Sequence, residues 1–397
     1  MASLAQLLQT NRQAEEYVQT RFNRLGNDDL RGHRNVRALA ARNRQQLPGY
    51  QAALREAAEF FADVCDGRYD MRLFRAALST DDFPYLFGDT IDRMMVAQYQ
   101  SITPAWRDYL AVKKVRDFRD VKRFHCTRGS GRLDKVDPGT GYKIDAPTES
   151  YYSYAVTKYG RRRDILWEAL VNDDLDALHQ APNDLAWQAA NTEAYLATSL
   201  FCANATLYAT SGGGRPTNGN LFTTTLTPAN LQAALVQISK FTSPESEPML
   251  NSPKYLVVPP ALELEALKIL NSATLAFTGD TDANFPILNI LQGRLEVRVN
   301  HWLPIVDTTN GHTSWYLFSD PAMGWPVEVG FLQGHETPEL FMKASNQTLL
   351  GGGQTNPMDG DFDTDSVAYK VRHVVGGSQT NAVGGWRFTF RSTGAGS

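Results

Sequence analysis

The stretch from residue 113 to 163 constrains the fold most, because it is long but carries few large apolar side chains in its middle. Strand-like alternation at its two ends places Tyr152, Tyr154 and Val156 on one face. A turn signal, residues 137–139, lies between those ends. A two-stranded ribbon is marginal in water by itself. We therefore expect this ribbon either to dock on its own domain or to reach onto a neighbouring chain.

The overall composition predicts a soluble globular protein. The 397 residues are 42% hydrophobic and 21% charged, with a formal net charge of -4, so a global basic excess that would attract nucleic acid is absent. The three cysteines share no CxxC spacing, which indicates folding in a reducing cytoplasm. Neither a secretory signal nor a membrane-length apolar run is evident, so we expect no membrane partner.

Helical patterns dominate the N-terminal half. Residues 1–69 are polar and helical, and the next stretch consists of short helices that Pro84 and Pro104 interrupt. A helical stretch is predicted from about Asp164. A longer helix should follow from about Pro182 to Leu207. Its predicted apolar stripe consists of Leu185, Ala189, Leu196, Leu200 and Ala203.

The C-terminal half contains most of the predicted strands. Thr227 and Pro228 should cap and begin a helix after the glycine-rich loop at residues 211–220. The predicted strands are KYLVVPP, RLEVRVNHWL, SWYLFSD, VEVGFL, ELFMKA, SVAYKVRHVV and GWRFTF, with a helix over ALELEALKIL. This grouping predicts the α+β class.

A basic segment, residues 31–44, carries five arginines within the N-terminal helical region. It can be a solvated helical face. Alternatively, its clustered arginines can contact nucleic acid or an acidic scaffold surface, because they neutralise phosphates.

The motifs that mark common enzymes are missing. SGGGRP is not followed by Lys-Ser or Lys-Thr, and GSGRLDKV lacks the third glycine of a dinucleotide fingerprint. Neither a GxSxG elbow nor an HExxH pair occurs. One hydrolase alternative remains, in which His301 and His312 meet Asp320 in space. We predict no catalytic residue and no cofactor, and expect a protein that is not an enzyme.

An acidic repeat places Asp359, Asp361, Asp363 and Asp365 at every second position. A calcium loop beginning at Asp361 would need glycine where Ser366 stands and glutamate where Arg372 stands. The repeat is therefore predicted to be an exposed acidic loop before a strand, and no metal site is predicted.

The order of several segments resembles one family. These segments are LFRAALSTDDFPYLFGDTIDRMM, VRDFRDVKRF, YAVTKYGRRRDILWEALVNDDLDAL, YLVVPPALELEALKIL, SDPAMGWPVEVGFLQGHETPELFM and FDTDSVAYKVRHVVGG. Over about residues 70 to 380 they are similar to the major capsid proteins of tailed bacteriophages, specifically the Mu-like head subunit (gpT-type) branch of the Hong Kong 97 capsid fold.

The resemblance implies a division of the chain. The expected parts are a helical N-terminal extension (1–69), an N-terminal arm (70–112), an extended β-hairpin loop (113–163), a peripheral domain with a long spine helix (164–220), an axial domain (221–320) and return strands of both domains (321–397). It further implies self-assembly into hexamers and pentamers of an icosahedral shell around double-stranded DNA.

The resemblance also implies where subunits meet. The extended loop should lie across the adjacent subunit, and basic side chains at its ends should pair with carboxylates there. The candidate inter-subunit contacts are Lys113, Lys114, Arg116, Arg119, Lys122, Arg123, Tyr152, Tyr154, Arg161, Arg162 and Arg163.

The implied partners are further copies of the chain, a portal, a scaffold or protease, and decoration proteins. Packaged DNA would be touched only non-specifically. The expected location is the virion capsid, assembled in the bacterial host cytoplasm. An encapsulin-type nanocompartment shell, which shares the fold, is the alternative.

Overall fold

The structure is a computed structural model, and part of the chain is described in it. The described residues are 55–60, 63, 83–102, 104–126, 133, 135–139, 141–142, 149–166, 175–212, 215, 219–243, 247–249, 251–275, 287–343, 345–347 and 360–394. The basic segment at residues 31–44, most of the predicted N-terminal helices and Asp359 lie outside these residues.

The α-helices of the described residues all lie before residue 307. They are α1 (Phe83–Ser101), α2 (Trp106–Tyr109), α3 (Leu175–Phe201), α4 (Pro228–Ser239), α5 (Glu263–Asn271) and α6 (Leu303–Val306). Residues 55–60 are also helical. Within the described residues, none of the helices is both long enough and apolar enough to cross a bilayer.

The strands before residue 300 are mostly short. They are β1 (Ala111–Val115), β2 (Val121–Cys126), β3 (Glu149–Tyr154), β4 (Val156–Leu166), β5 (Leu221–Phe222), β6 (Pro253–Val258), β7 (Thr274–Leu275), β8 (Ile287–Leu288) and β9 (Glu296–Val299). The later strands are β10 (Trp315–Ser319), β11 (Val327–Leu332), β12 (Glu339–Met342), β13 (Ser366–Gln379) and β14 (Thr389–Ser392).

The described residues of segments 1–102, 159–189 and 337–373 form a first compact unit. Here helix α1 lies against strand β12, and the backbone N–H of Leu340 donates to Oδ1 of Asp92 at 3.3 Å. Strand β12 pairs antiparallel with the first half of β13. The described part of this unit therefore contains α1, the first part of helix α3 and a small sheet.

The described residues of segments 103–158, 190–336 and 374–397 form a second compact unit. One of its sheets has the strand order β5-β14-β10-β6-β9 and an aromatic core. In that core Phe201 packs edge-on against Tyr316 and Phe318, at 5.4 and 5.2 Å between ring centroids. In another sheet of this unit, β1 pairs parallel with β11, and β11 pairs antiparallel with the second half of β13.

Local signals account for several elements as predicted. The Thr227 side chain accepts a hydrogen bond from the backbone N–H of Asn230 at 3.2 Å, and Pro228 follows as the first helical residue of α4. Strands β6, β10, β11, β12 and β13 all overlap the predicted segments. The predicted α+β class is thus confirmed by the arrangement of helices and sheets.

Other local predictions are wrong. The long helix begins by Leu175 and ends at Phe201, so Pro182 lies inside it rather than at its start. The helical stretch predicted from about Asp164 is wrong at its start, because residues 164–166 are the end of strand β4, which pairs with β13. Residues 167–174 lie outside the described residues, and residues 175–181 are helical as part of α3. Pro84 lies in the first turn of α1, where a missing N–H costs little, and does not interrupt the helix.

Two further predictions are wrong in part. Along the part of α3 whose side chains are described, residues 183–201, the buried positions are Leu185, Ala186, Ala189, Ala190, Glu193, Ala197, Thr198 and Phe201. Leu196 and Leu200 are only half-buried, and Ala203 lies beyond the helix. GWRFTF is not one strand: a 3₁₀ helix covers Gly385–Phe388, and β14 follows.

Candidate functional site at the base of the ribbon

The base of the ribbon rests on strand β11, whose six residues are all buried. Strands β2 and β3 form an antiparallel hairpin in which Arg123 faces Tyr152 and Phe124 faces Tyr151. We call each such cross-strand pair of residues a rung. Because side chains alternate along a strand, these two neighbouring rungs point to opposite faces of the hairpin. The inward rung, Arg123 with Tyr152, faces β11, and the outward rung, Phe124 with Tyr151, is exposed.

The buried carboxylate of Glu328 accepts hydrogen bonds from the inward rung and from Tyr154. The Glu328 side chain in β11 is 1% exposed. The Tyr152 hydroxyl donates to its Oε2 atom and the Tyr154 hydroxyl to its Oε1 atom, both at 2.5 Å. The Arg123 guanidinium donates to Oε1 at 3.1 Å and to the carbonyl of Lys114 at 3.2 Å. We call Glu328, Arg123, Tyr152 and Tyr154 the Glu328 cluster.

The Glu328 cluster explains how a charge is tolerated in an apolar strand. Two hydroxyl donors and one guanidinium replace the water that Glu328 loses on burial. Burial, followed by the hydrogen bond and charge of Glu328, raises the pKa of Tyr152 and Tyr154 above the ordinary value of 10.0. Both tyrosines therefore remain protonated donors at neutral pH.

Apolar packing and a glycine complete the base. Val115, Tyr154, Val156 and Leu332 form one core cluster with Val374, and Tyr152 packs against it. Gly330 lies two residues after Glu328 on the same strand face, and a Cβ atom there would be 2.5 Å from Cε2 of Tyr154. Glycine at this position makes room for the Tyr154 ring. The base of the ribbon thus docks on its own chain.

The outward rung consists of two solvent-exposed aromatic side chains. Phe124 is 64% and Tyr151 is 51% exposed, and their ring centroids are 5.7 Å apart. The Lys122 ammonium lies 5.2 Å from the centroid of the Tyr151 ring. We call Phe124 and Tyr151 the outer aromatic pair. Farther along the ribbon, Leu133 and Tyr142 are also exposed.

The remaining predicted contact residues near β1 have partners within the chain or are exposed. The Lys113 ammonium lies 4.8 Å from the Trp325 ring centroid, and Lys114 forms an ion pair with Glu336 at 2.8 Å. Arg116 and Arg119 are exposed in the bend between β1 and β2. Their role between subunits stays a prediction.

The three arginines of β4 lie in the first compact unit and contact side chains there. Arg161 donates to Gln188 Oε1 at 3.3 Å, and Arg162 forms an ion pair with Asp164 at 2.5 Å. Arg163 pairs with Asp184 of helix α3, also at 2.5 Å. Exposed ion pairs of this kind contribute little stability, so these arginines can exchange partners at small cost.

Glu328 and Gly330 were not among the predicted site residues. The only local signal is that VEVGFL has one acidic residue and one glycine in an otherwise apolar strand. A lone carboxylate in a strand buried on both faces indicates a partner that comes from elsewhere in the chain. That partner cannot be identified from the strand alone.

The proposed hydrolase constellation gains no geometric support. His301 and His312 are exposed, and Asp320 forms an ion pair with Lys254 at 3.1 Å. In the acidic repeat, Asp361 is 8% exposed and pairs with Lys343 at 2.6 Å, so it is not the exposed loop residue predicted. Among the described residues, no group of three or more His, Cys, Asp or Glu side chains could hold a metal ion.

Comparison with solved structures reveals remote similarity to shell proteins. One is the virus-like particle from Pyrococcus furiosus, at 12% identity, with 77% of this chain and 99% of that chain covered and a TM-score of 0.39. Another is the capsid of Helicobacter pylori bacteriophage KHP30, at 10% identity, 71% and 86% coverage and a TM-score of 0.40. The encapsulin complex of Synechococcus elongatus PCC 7942 matches at 15% identity, 74% and 88% coverage and a TM-score of 0.40.

Comparison with protein sequences is more decisive. No curated protein sequence matches the chain. The profile of one family, described as phage capsid protein, matches residues 150–388. This match begins in strand β3 and includes Tyr152, Tyr154, Glu328 and Gly330. Because it covers more than half of the chain, the protein belongs to the phage capsid protein family.

Proposed function

We propose that this chain is the major head subunit of a tailed bacteriophage in the Mu-like branch of the Hong Kong 97 fold. It assembles into hexamers and pentamers of an icosahedral shell that encloses double-stranded DNA. The observation that carries the proposal is the two-sided base of the ribbon. One face is docked on Glu328, and the other bears the outer aromatic pair.

The outer aromatic pair is the surface proposed to meet a second copy of the chain. Two adjacent aromatic rings that are more than half exposed gain free energy when they are covered. Lys122 beside them supplies a cation that a neighbouring carboxylate can pair with. A repeated contact of this kind, from one subunit to the next, closes into rings.

The domain anatomy implied by the family resemblance is part of the proposal. It assigns residues 70–112 to the arm, 113–163 to the extended loop, 164–220 to the peripheral domain with helix α3 as the spine, and 221–320 to the axial domain. The basic residues of β1, β4 and the bend between β1 and β2 would exchange their partners within the chain for carboxylates of the next subunit.

The proposed surroundings follow from the same role. The subunit would assemble in the bacterial host cytoplasm, together with a portal, a scaffold or protease and decoration proteins. It would end in the virion capsid. Its contact with packaged DNA would be non-specific, which agrees with the formal net charge of -4.

Expression of the full chain tests the proposal directly. We expect megadalton particles or ring-shaped capsomers by light scattering and negative-stain electron microscopy. The double variant Phe124→Ser, Tyr151→Ser should lower particle yield about tenfold or more. Each ring that is removed no longer contributes its contact free energy between subunits, about 1 kcal/mol or more. The matched control is Val236→Ser, which removes a 52% exposed side chain from helix α4.

Two outcomes would contradict the proposal. One is a compact monomer that persists under all assembly conditions. The other is an equal loss of particles in the double variant and in the Val236→Ser control. That result would show that assembly does not depend specifically on the outer aromatic pair. Particles that enclose a protein cargo in the native host, and no DNA, would support the encapsulin-type alternative instead.

A further inference from the structure

Glu328 is bonded by groups that are remote in sequence but adjacent in the hairpin. Arg123 lies 205 residues away from it, and the two tyrosines lie 176 and 174 residues away. Arg123 belongs to β2, whereas Tyr152 and Tyr154 belong to β3. The carboxylate of Glu328 therefore binds both strands of the hairpin to strand β11.

These bonds make the seated hairpin a discrete state. If the hairpin rotated slightly away from β11, its three donors would separate from Glu328 while the hairpin still excluded water from the carboxylate. A buried charge without partners is strongly unfavourable, so intermediate angles are disfavoured. The seated hairpin also fills the space above Gly330 with the Tyr154 ring. Electrostatics and packing thus select the same orientation.

This orientation also fixes the exposed face. The rung that pairs Arg123 with Tyr152 is next to the rung that pairs Phe124 with Tyr151. Since consecutive rungs are rigidly related by the strand pleat, fixing the first fixes the direction of the second. Glu328 makes no contact with a second copy in this scheme, but it sets the direction in which the outer aromatic pair points.

We propose that Glu328 is a positioning residue that presets the ribbon in the free subunit, so that the outer aromatic pair already points toward its contact on a second copy. The inference rests on the proposed shell function. It adds that the ribbon is oriented before assembly and not by assembly. Presetting removes an ordering cost from each subunit addition, which accelerates shell growth.

Distance measurements between spin labels on soluble, unassembled protein test the presetting. Labels at His125→Cys and Lys240→Cys, both exposed positions of the second unit, report the hairpin against helix α4. Cys65 and Cys126 are replaced by serine, whereas Cys202 is buried and can remain. We expect one narrow distance in the parent protein and a broad distribution in Glu328→Gln.

A second variant covers the case in which Glu328→Gln fails to fold. Tyr152→Phe with Tyr154→Phe keeps the carboxylate and the ring volume but removes both hydroxyl donors. We expect a broadened distance and a particle formation rate reduced about tenfold or more, because two hydrogen bonds to Glu328 are lost together. The far-UV circular dichroism spectrum should remain that of the parent, which separates a positioning role from a structural one.

The outcomes distinguish the two proposals. If the parent forms no particles, the shell function fails, while the spin-label distances still report whether Glu328 presets the ribbon. If the parent assembles, and both variants keep a narrow distance and the parent rate, Glu328 is not a positioning residue. A broad distance in the parent itself would also overturn the inference.

Discussion

At the scale of single residues, Glu328 and Gly330 act together. Glu328 attracts the tyrosine hydroxyls, and Gly330 leaves the space in which the Tyr154 ring lies. The hydroxyl and the ring are parts of one side chain, so the polar and the steric contact cannot be satisfied separately. This coupling explains why a charge and a glycine occur together in a strand that is otherwise apolar.

Gly330→Ala tests the steric half of this coupling. The added Cβ atom would lie 2.5 Å from the Tyr154 ring, so we expect a loss of about 1–3 kcal/mol in the free energy of unfolding. Chemical denaturation followed by circular dichroism measures it. Gly141→Ala is the matched control, because a Cβ atom there has no neighbour within 4 Å.

A double-mutant cycle identifies the cause of the loss. If the Tyr154 ring is the obstacle, Gly330→Ala should cost much less free energy in a Tyr154→Val background, which lacks the ring. Equal costs in both backgrounds would refute the steric explanation.

The sequence could not reveal the Glu328 cluster. Tyr152, Tyr154 and Val156 were correctly predicted to share a face, and that face is the one directed at the core. Their partner is determined by the pairing of β1 with β11, which leaves no trace in either strand's periodicity. The sequence alone therefore does not decide whether the ribbon docks on its own domain or reaches a neighbouring chain.

At the scale of elements, the ribbon has a seated base and a distal part that the family resemblance assigns to a neighbouring subunit. Deletion of residues 126–148, closed by an Asn-Gly turn, removes the distal part and keeps both the Glu328 cluster and the outer aromatic pair. We expect a cooperative thermal transition to remain but shell formation to be impaired. Circular dichroism and electron microscopy measure the two effects.

A full-length control separates the length of the ribbon from its side chains. Leu133→Ser with Tyr142→Ser removes two exposed apolar groups, at 102% and 86% exposure, without shortening the chain. Assembly of normally stable particles by the deletion variant would show that the distal ribbon is dispensable.

Elements with local signals were predicted well, and those that depend on tertiary pairing were not. Helix α4 begins at the predicted Thr227-Pro228 pair because the cap is a contact between near neighbours. Strand β4 continues through Arg161–Arg163 to Leu166 and pairs with β13, a contact between segments that are remote in sequence. Pro182 was misread because a proline predicts a helix start more often than a helix interior.

At the scale of the whole molecule, buried tyrosines predict sensitivity to alkaline pH. Burial is the first cause that raises the pKa of each of Tyr109, Tyr152, Tyr154, Tyr208, Tyr316 and Tyr369. Burial also raises the pKa of the Cys202 thiol to about 11. These groups hold their protons more tightly in the folded chain than in the unfolded chain.

The sign of the effect follows from that difference. Stability from the tyrosines is fully present below their unfolded pKa of about 10 and is lost as the pH rises above it. Each tyrosine contributes a loss of up to about 1.4 kcal/mol per pH unit. Urea unfolding between about pH 8 and 11 should reveal the decline. Tyr152→Phe with Tyr154→Phe should reduce its slope; an unchanged slope would contradict the assignment.

The large sequence separation between the hairpin and β11 also determines when, during translation, the hairpin can dock. The ribosome reaches Glu328 only after it has translated 205 residues beyond Arg123, which takes about 10 to 40 s at about 5 to 20 residues per second. Until then the hairpin has neither its carboxylate nor its underlying strand. A prematurely terminated polypeptide that ends before β11 therefore lacks a seat for the ribbon and would be a poor competitor for places in the shell. Quality control against incomplete translation products would then be a property of the topology itself.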